Sequence, residues 1–453
     1  MPVDHDVLVS GAGIGGLTLA LGLHAAGIRA VVVEAAGLPL PAGTGVSLPP
    51  SAVAELTALG LGDSLARHAV APAVLSHYDR HGGHLWSEPR GLGLGHPVPQ
   101  YSIHRAVLQD LLLQAVRARL GADAVRTSTA VVRFHQSESE GVRVTLRGGG
   151  RVRSETALAL IGADGLRSAV RAGLHPGEAP PGWSGVWLWR GLVPWQPVLG
   201  GRTVVVAGGG GVRLHVHPVS YPYDNGAQPP YAYADDPATP YAGGLRVPYG
   251  NRPGTPYPYE SLPRRGQALL HWTASVRLGP EALPGGAGAA DWNRRGRLAE
   301  VLPHYAGWRI GDLDVPALLA ATPRIHGSPL VGRAPLRRWG EGRVSLIGDA
   351  AHPLLPAVPD GTGLAVLDAA VLARCLARTT PDRAAGMRLY ESHRAARVAA
   401  LDIAPPLPCD VLLDLVAERA PDGFAQVGDV LTAEELHHWT AAHLALEAAA
   451  EAW

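Results

Sequence analysis

Lysine is absent from this 453-residue chain: all 39 basic residues are arginine. That removes Schiff-base chemistry and any lysine general base at once. Cysteine is nearly absent too. Its two copies, Cys375 and Cys409, stand in no metal-ligand or redox spacing, which points to a reducing compartment. Net charge is also missing, since 39 acidic residues offset the 39 basic ones. The chain therefore lacks the basic footprint of a nucleic-acid or membrane-surface binder. No apolar run approaches the roughly 20 residues that a bilayer span needs, and no basic segment leads into an apolar stretch at the start. The expectation is a soluble, cytoplasmic protein without nucleic-acid or membrane partners. At this length, two or three intertwined subdomains are expected rather than one core.

Glycine, by contrast, is placed with purpose. Val7-Leu8-Val9-Ser10 reads as a buried strand, and Gly11-Ala12-Gly13-Ile14-Gly15-Gly16 follows directly. Leu17 to Ala26 is helix-like and closes at Gly27, and Ala30 to Val33 is a second strand that ends at Glu34. Strand, glycine turn, helix, strand and acidic residue at this spacing form a dinucleotide-binding unit. Gly11 permits the tight turn, Gly13 lets backbone approach a pyrophosphate, and Gly16 lets the helix pack on the strand. The helix N-terminus offers free N–H groups and a partial positive charge to phosphates. Glu34 is placed to accept hydrogen bonds from an adenosine ribose. The alternative, a glycine turn in another α/β protein, has no need of Glu34 in register.

Two further strands end in acidic residues. Leu158 to Ile161 delivers Asp164-Gly165 to a turn before a helix, and Val344 to Ile347 delivers Gly348-Asp349, with a helix-forming stretch from Thr362. Such strand ends are where α/β sheets bind ligands. Asp349 can bond a ribityl hydroxyl; alternatively, each aspartate is a helix cap.

In these three motifs, in this order, the chain resembles the class A flavoprotein monooxygenases, the family of para-hydroxybenzoate hydroxylase. The resemblance covers about residues 4–400. Leu85-Trp86-Ser87-Glu88-Pro89-Arg90-Gly91, Pro99 to Arg105, Trp189-Arg190-Gly191 and Asp291-Trp292-Asn293 look like the branch of the phenazine-modifying enzymes. The resemblance implies a Rossmann-like FAD-binding domain with an interleaved antiparallel-sheet substrate domain and C-terminal helices. It implies FAD as cofactor, NADH or NADPH as transient donor, O₂ as cosubstrate, and a small aromatic or polycyclic substrate of secondary metabolism. Oxygen would be transferred from a C4a-hydroperoxyflavin. Position by position, Arg105 would reach the pyrophosphate or ribityl chain, and Val131 would lie beside the adenine. Val46 and Ser47 would lie near the flavin ring, and Asp164 in the region serving FAD and nicotinamide. Gly361, Thr362 and Gly363 would bring N–H groups to the flavin's pyrimidine edge, and His352 would be structural.

Two departures from that family stand out. The loop Pro356 to Ala365 carries Pro359 and Asp360 where Asn and Gln are usual, and proline has no N–H to donate. This motivates a rival reading in which FAD is a scaffold for a cyclisation or isomerisation. The second departure is a Pro- and Tyr-rich insertion, 221–263, which holds eight of the chain's twelve tyrosines. It reads either as a solvated insertion or as a lid or homodimer contact. His215, His217 and His271 flank it on strands. They are read as pocket wall together with Trp189 and Leu355, with His217 or His271 as a candidate base for a phenolic substrate, or else as an exposed sheet face. No carboxylate stands in register, so no metal is expected. The expected division is an FAD domain from 1–75, 102–180 and 322–400, a substrate domain from 76–101 and 181–321, and a helical segment from 401–453.

Overall fold

The computed structural model describes residues 3–37, 44–137, 141–220, 263, 266–279, 294–353, 361–402 and 408–451. The chain opens with β1 (His5–Ser10), α1 (Ile14–Ala25) and β2 (Ala30–Val33), then β3 (Gly45–Leu48), α2 (Pro50–Ala58) and α3 (Gly62–His68). It leaves for a second sheet through β4 (Val74–Asp79) and β5 (His84–Pro89) and returns by β6 (Tyr101–His104) into α4 (Arg105–Leu120). β7 (Val125–Arg126), β8 (Thr129–Ser137), β9 (Gly141–Gly148), β10 (Arg151–Gly162) and α5 (Ala169–Leu174) follow. A second excursion makes β11 (Gly182–Trp195), β12 (Thr203–Gly209), β13 (Val212–Ser220) and β14 (Ala268–Arg277). It then adds α6 (Leu298–Val301), the small pair β15 (Arg309–Ile310) and β16 (Leu313–Asp314), α7 (Val315–Ala320) and β17 (Ile325–Gly332). β18 (Gly340–Glu341), β19 (Val344–Leu346), α8 (Gly361–Arg378) and α9 (Arg383–Asp402) rejoin the first body, and α10 (Pro408–Arg419) and α11 (Ala433–Glu451) end the chain.

The first sheet runs β18-β19-β10-β1-β2-β7. β19, β10, β1, β2 and β7 are parallel neighbours, and their near-continuous apolar runs are what a sheet covered on both faces requires. Val7, Leu8 and Val9 are fully buried. α1 has no charged face: its apolar residues point all round because it lies between this sheet, α4 and α8. The second sheet runs β17-β11-β14-β13-β12-β4-β5 and is antiparallel except for β12 against β4. One of its faces packs Trp187, Trp189, Trp272, Leu214 and Val216 against the layer of Tyr305, Trp308 and Leu318. The other face turns toward β3, β6 and the start of α4.

Arginine forks dock the C-terminal helices. Arg213 on β13 reaches Asp410 (2.8 Å) and Asp414 (2.8 Å) of α10, and Arg90, just after β5, bridges Glu88 (2.7 Å) and Glu447 of α11. Planar guanidinium pairs match two carboxylate oxygens at once, which suits a chain with no lysine.

Trp272 is fully buried and its indole N–H donates to Thr322 Oγ1 at 2.8 Å. Trp272→Ala is expected to cost about 3–5 kcal/mol of stability, read as a lower denaturant midpoint. Flavin absorbance should survive in the folded variant, because this core lies on the sheet face away from the glycine turn.

Candidate functional site

The ends of β1, β2, β10 and β19 and the starts of α1 and α8 meet along one rim. Gly11 adopts φ 109°, and a Cβ there would run into the Ala163 carbonyl oxygen. Gly16 lies so close beneath that a Cβ would strike the Gly11 carbonyl. Gly13 differs: it is the N-cap of α1, carries no side-chain cap, and has nothing within 4 Å of where a Cβ would stand. The turn is packed from below and open from above. Gln109 of α4 holds it there, donating to the Ala12 carbonyl at 2.8 Å. Gly15 faces Ala365 of α8, 3.3 Å from its own absent Cβ, so the two helix N-termini converge.

Glu34 has a second task that its spacing did not reveal. Its Oε2 accepts the Ala12 N–H and its Oε1 the Ala36 N–H, both at 2.8 Å. The carboxylate thus closes the glycine turn, and each oxygen keeps a lone pair for a further donor. Thr129 N–H donates to the Glu34 carbonyl at 2.8 Å, which draws β8 and its buried Val131 to the same corner.

The two later aspartates part company. Asp164 supports the start of α5: it accepts from the hydroxyl of Ser168, the N-cap, and from Ala169 N–H at 2.9 Å, with Ser10 Oγ at 3.3 Å. Burial pushes its carboxyl up despite those donors. Those bonds shape the turn at Gly165, where φ is 74°. Asp349, in contrast, is exposed and has no hydrogen-bond partner among the described residues, and a Cβ at Gly361 would stand 3.7 Å from its Oδ1. Gly348, at φ 58°, makes the turn that presents it.

Three residues that sequence reasoning passed over hold this turn. Asp368 of α8 is fully buried and accepts from Gly348 N–H (2.9 Å), His352 Nε2 (2.5 Å) and Arg394 Nε (2.8 Å). Burial alone would raise its pKa; His352 and Arg394 outweigh that and bring it to about 2. Arg171, 1% exposed, donates to the carbonyls of Ala350 (3.1 Å) and Ala351 (2.9 Å), tying the helix after Asp164 to the turn at Asp349. Asp368, Arg394 and Arg171 carried no motif of their own; an acid and an arginine inside apolar helical stretches, Asp368 and Arg171, were the available signal, whereas Arg394 sits in a polar run. His352 packs on Trp339, ring centroids 4.8 Å apart, in keeping with the structural role expected of it.

Across the rim lies the other face of the second sheet, covered by α10 at one end and facing β3 and β6 at the other. His217 pairs with His271, His215 with Thr273, Arg190 with Thr273 and Leu192 with His271, so His215, His217, His271 and Arg190 share that face. His215 is exposed toward the cleft, yet the surrounding protein lowers its pKa. Burial lowers His217 to about 4 and takes His271 well below its ordinary value. His217 Nδ1 meets Ser102 Oγ at 3.1 Å and its Nε2 meets His271 Nδ1 at 2.9 Å. Both ring nitrogens of His217, one of the two candidate bases, are thus engaged within the protein. Trp189 departs from expectation. It pairs with Ala274 and lies in the core on the opposite face, 5.7 Å from the His304 ring, because β-strand alternation puts Arg190 rather than Trp189 toward the cleft.

β3 and β6 form the near wall. Val46 is buried, and Ser47 accepts from Gln100 at 2.9 Å. Arg105, first residue of α4, is half-buried and has no side-chain bond among the described residues. Arg190 faces it: burial, then the charge of Arg105, lowers Arg190 to about 10. Gly363 sits tightly on Pro49, 2.6 Å from Cδ to where a Cβ would be, beside Thr362 in the first turn of α8. Leu355, Pro356, the run 291–293 and nearly all of the insertion 221–263 lie outside the described residues.

Asp368→Asn would leave the Arg394 guanidinium buried without its anion and is expected to cost about 3 kcal/mol at neutral pH. Because the folded carboxyl sits near 2 against an ordinary 3.8, its contribution is present above 3.8 and is lost as pH falls through 2. Acid titration of stability should therefore show a shallower fall between those values in the variant. Asp349→Ala is expected to leave the denaturant midpoint unchanged and to weaken FAD binding roughly tenfold, read by flavin fluorescence on titration into the apoprotein.

The comparisons with known proteins agree with this geometry. A family model described as "FAD binding domain" matches residues 4–192 and 331–402. The chain is 40% identical over 401 residues to phenazine 1,6-dicarboxylic acid hydroxylase PhzS of Lysobacter antibioticus, covering 87% of this chain and 88% of that protein. It is 28% identical to 3-hydroxybenzoate 6-hydroxylase 1 of Aquipseudomonas alcaligenes, covering 88% of this chain and 86% of that one. Among solved structures, HpxO of Klebsiella pneumoniae complexed with FAD and uric acid shares the fold at a TM-score of 0.66 and 24% identity, covering 97% of this chain and 93% of that one. The open glycine turn, Glu34 and the presented Asp349 thus belong to a member of the FAD binding domain family, an FAD-dependent monooxygenase.

Proposed function

We propose that the enzyme hydroxylates, or inserts oxygen into, a small aromatic or polycyclic acid of secondary metabolism, with NADH or NADPH as transient donor. The observation that carries this reading is the cleft face of the second sheet. Around the pair His217 and His271 its ionisable side chains are His215 and Arg190, opposite Arg105, and the carboxylates Asp410 and Asp414 of α10 enter only at the far end, beside Arg213 and His215. Such a face suits a planar ring bearing anionic groups. The substrates named for two relatives, a phenazine dicarboxylic acid and a hydroxybenzoate, are of that class.

The residues present fit FAD. An uncapped α1 with open space above Gly13 suits a diphosphate, Glu34 keeps lone pairs for ribose hydroxyls, and Asp349 and Arg105 would serve the ribityl chain and pyrophosphate. Gly361, Thr362 and Gly363 would present the start of α8 to the ring. When bound and reduced, FAD supplies the activation of O₂ and the oxygen transfer. The protein's share is position and dryness. β3 and β6 close the cleft on one side and the sheet on the other, and His217 and His271 stay neutral so that Arg190 and Arg105 set the local charge. The rival non-redox reading is not favoured, because it rested on the loop 356–365 alone, whereas the relatives named above are hydroxylases.

Turnover of a phenazine carboxylate under ¹⁸O₂ with each nicotinamide tests the reading. One labelled oxygen in the product, formed only with a donor and O₂, is the expected result. Product formed anaerobically without nicotinamide would sink it.

A further inference from the structure

We infer that His271 is held as the neutral tautomer with its hydrogen on Nε2, and that this N–H is a specificity-determining donor to a lone-pair atom of the substrate rather than a base. The inference rests on reading the cleft as the substrate site, and it follows from hydrogen-bond bookkeeping along Ser102, His217 and His271.

Ser102 is fully buried, and its Oγ has one partner among the described residues, His217 Nδ1 at 3.1 Å. The serine hydrogen therefore has one acceptor, and a buried hydroxyl that fails to donate forfeits its hydration without return. So Ser102 donates, and His217 Nδ1 accepts. A neutral ring that accepts at Nδ1 carries its hydrogen on Nε2. That nitrogen lies 2.9 Å from His271 Nδ1, so His217 donates and His271 accepts. By the same rule the His271 hydrogen sits on Nε2. The reverse order would point every hydrogen at Ser102 and strand the serine hydrogen in the interior.

Burial keeps both rings neutral, and for His271 the neighbouring His217, Arg190, His104 and His215 add to the effect. Those four neighbours are all bases, so none of them offers a carboxylate. His271 itself is 6% exposed, and its Nε2 has no partner among the described residues. It cannot easily turn away: β3 passes so close that a Cβ at Gly45 would stand 2.7 Å from the His271 Cβ. A fixed, dry N–H of this kind selects ligands with an acceptor at that point, such as a ring nitrogen, a carbonyl or a carboxylate oxygen, and leaves an isostere without one unrewarded.

Nitrogen NMR of ¹⁵N-histidine-labelled FAD-loaded enzyme, with His271→Gln to assign the ring, reads the tautomer without any turnover. A pyrrole-type Nε2 and a pyridine-type Nδ1 are expected, and Ser102→Ala should mix the two forms. Binding of phenazine-1,6-dicarboxylate to the oxidised enzyme should be nearly unchanged in His271→Gln, which retains an N–H donor, and about tenfold weaker in His271→Leu. A pyridine-type Nε2 in the parent enzyme overturns the inference whatever the variants do, as does equal binding by the Leu variant. Failure of the ¹⁸O experiment would instead count against the monooxygenase reading and leave the nitrogen assignment standing.

Discussion

A single buried carboxylate, Asp368, holds the cofactor rim together. It takes the Gly348 N–H, the His352 ring and the Arg394 guanidinium at one point inside the protein. Three elements far apart in sequence are thereby locked in register: the turn after β19, helix α8 and helix α9. A buried acid with fewer partners would lose its charge. Here the donors are numerous enough to keep it ionised, and the left-handed turn at Gly348 is the geometric result. Arg171 does the complementary work from the other side by capturing the carbonyls of the same turn. Asp349 is then free to face outward because its neighbours have satisfied the backbone.

The same economy recurs wherever this chain needs a cation inside. Arg90, Arg171 and Arg213 are buried, and each guanidinium reaches several acceptors at once, a geometry that an ammonium group could not reproduce. A fork can bind two acceptors while staying planar, so it can tie a helix to a strand with little loss of packing. The price is commitment, since each fork is correct for one arrangement only.

Much of the cofactor corner was legible in the sequence because it rests on local rules. Glycines whose absent Cβ atoms permit a tight turn, a helix that follows at once, and an acid at the second strand's end each leave a mark within about 25 residues. The turn at Gly348-Asp349 was readable for the same reason. What escaped was non-local. Asp368 and Arg394 look like ordinary polar interruptions of helices until folding brings them beside Gly348, and Glu34's bond to Ala12 needs the turn to be closed already. Trp189 was misplaced by one step of strand alternation: a run of Trp-Leu-Trp-Arg does not say which face meets the core, and Arg190 took the position expected of its neighbour. The engagement of His217 with Ser102 was not legible because it joins residues 115 apart.

The position of the tyrosine-rich insertion has a structural corollary. The chain leaves the second sheet at Ser220, three residues past His217, and re-enters it at Ala268, three residues before His271. Both exits are anchored by ladder pairs, so the excursion between them can lengthen, shorten or change composition while the strands keep their register. Changes of length between Ser220 and Ala268 are thereby separated from the ladder that holds His217 beside His271.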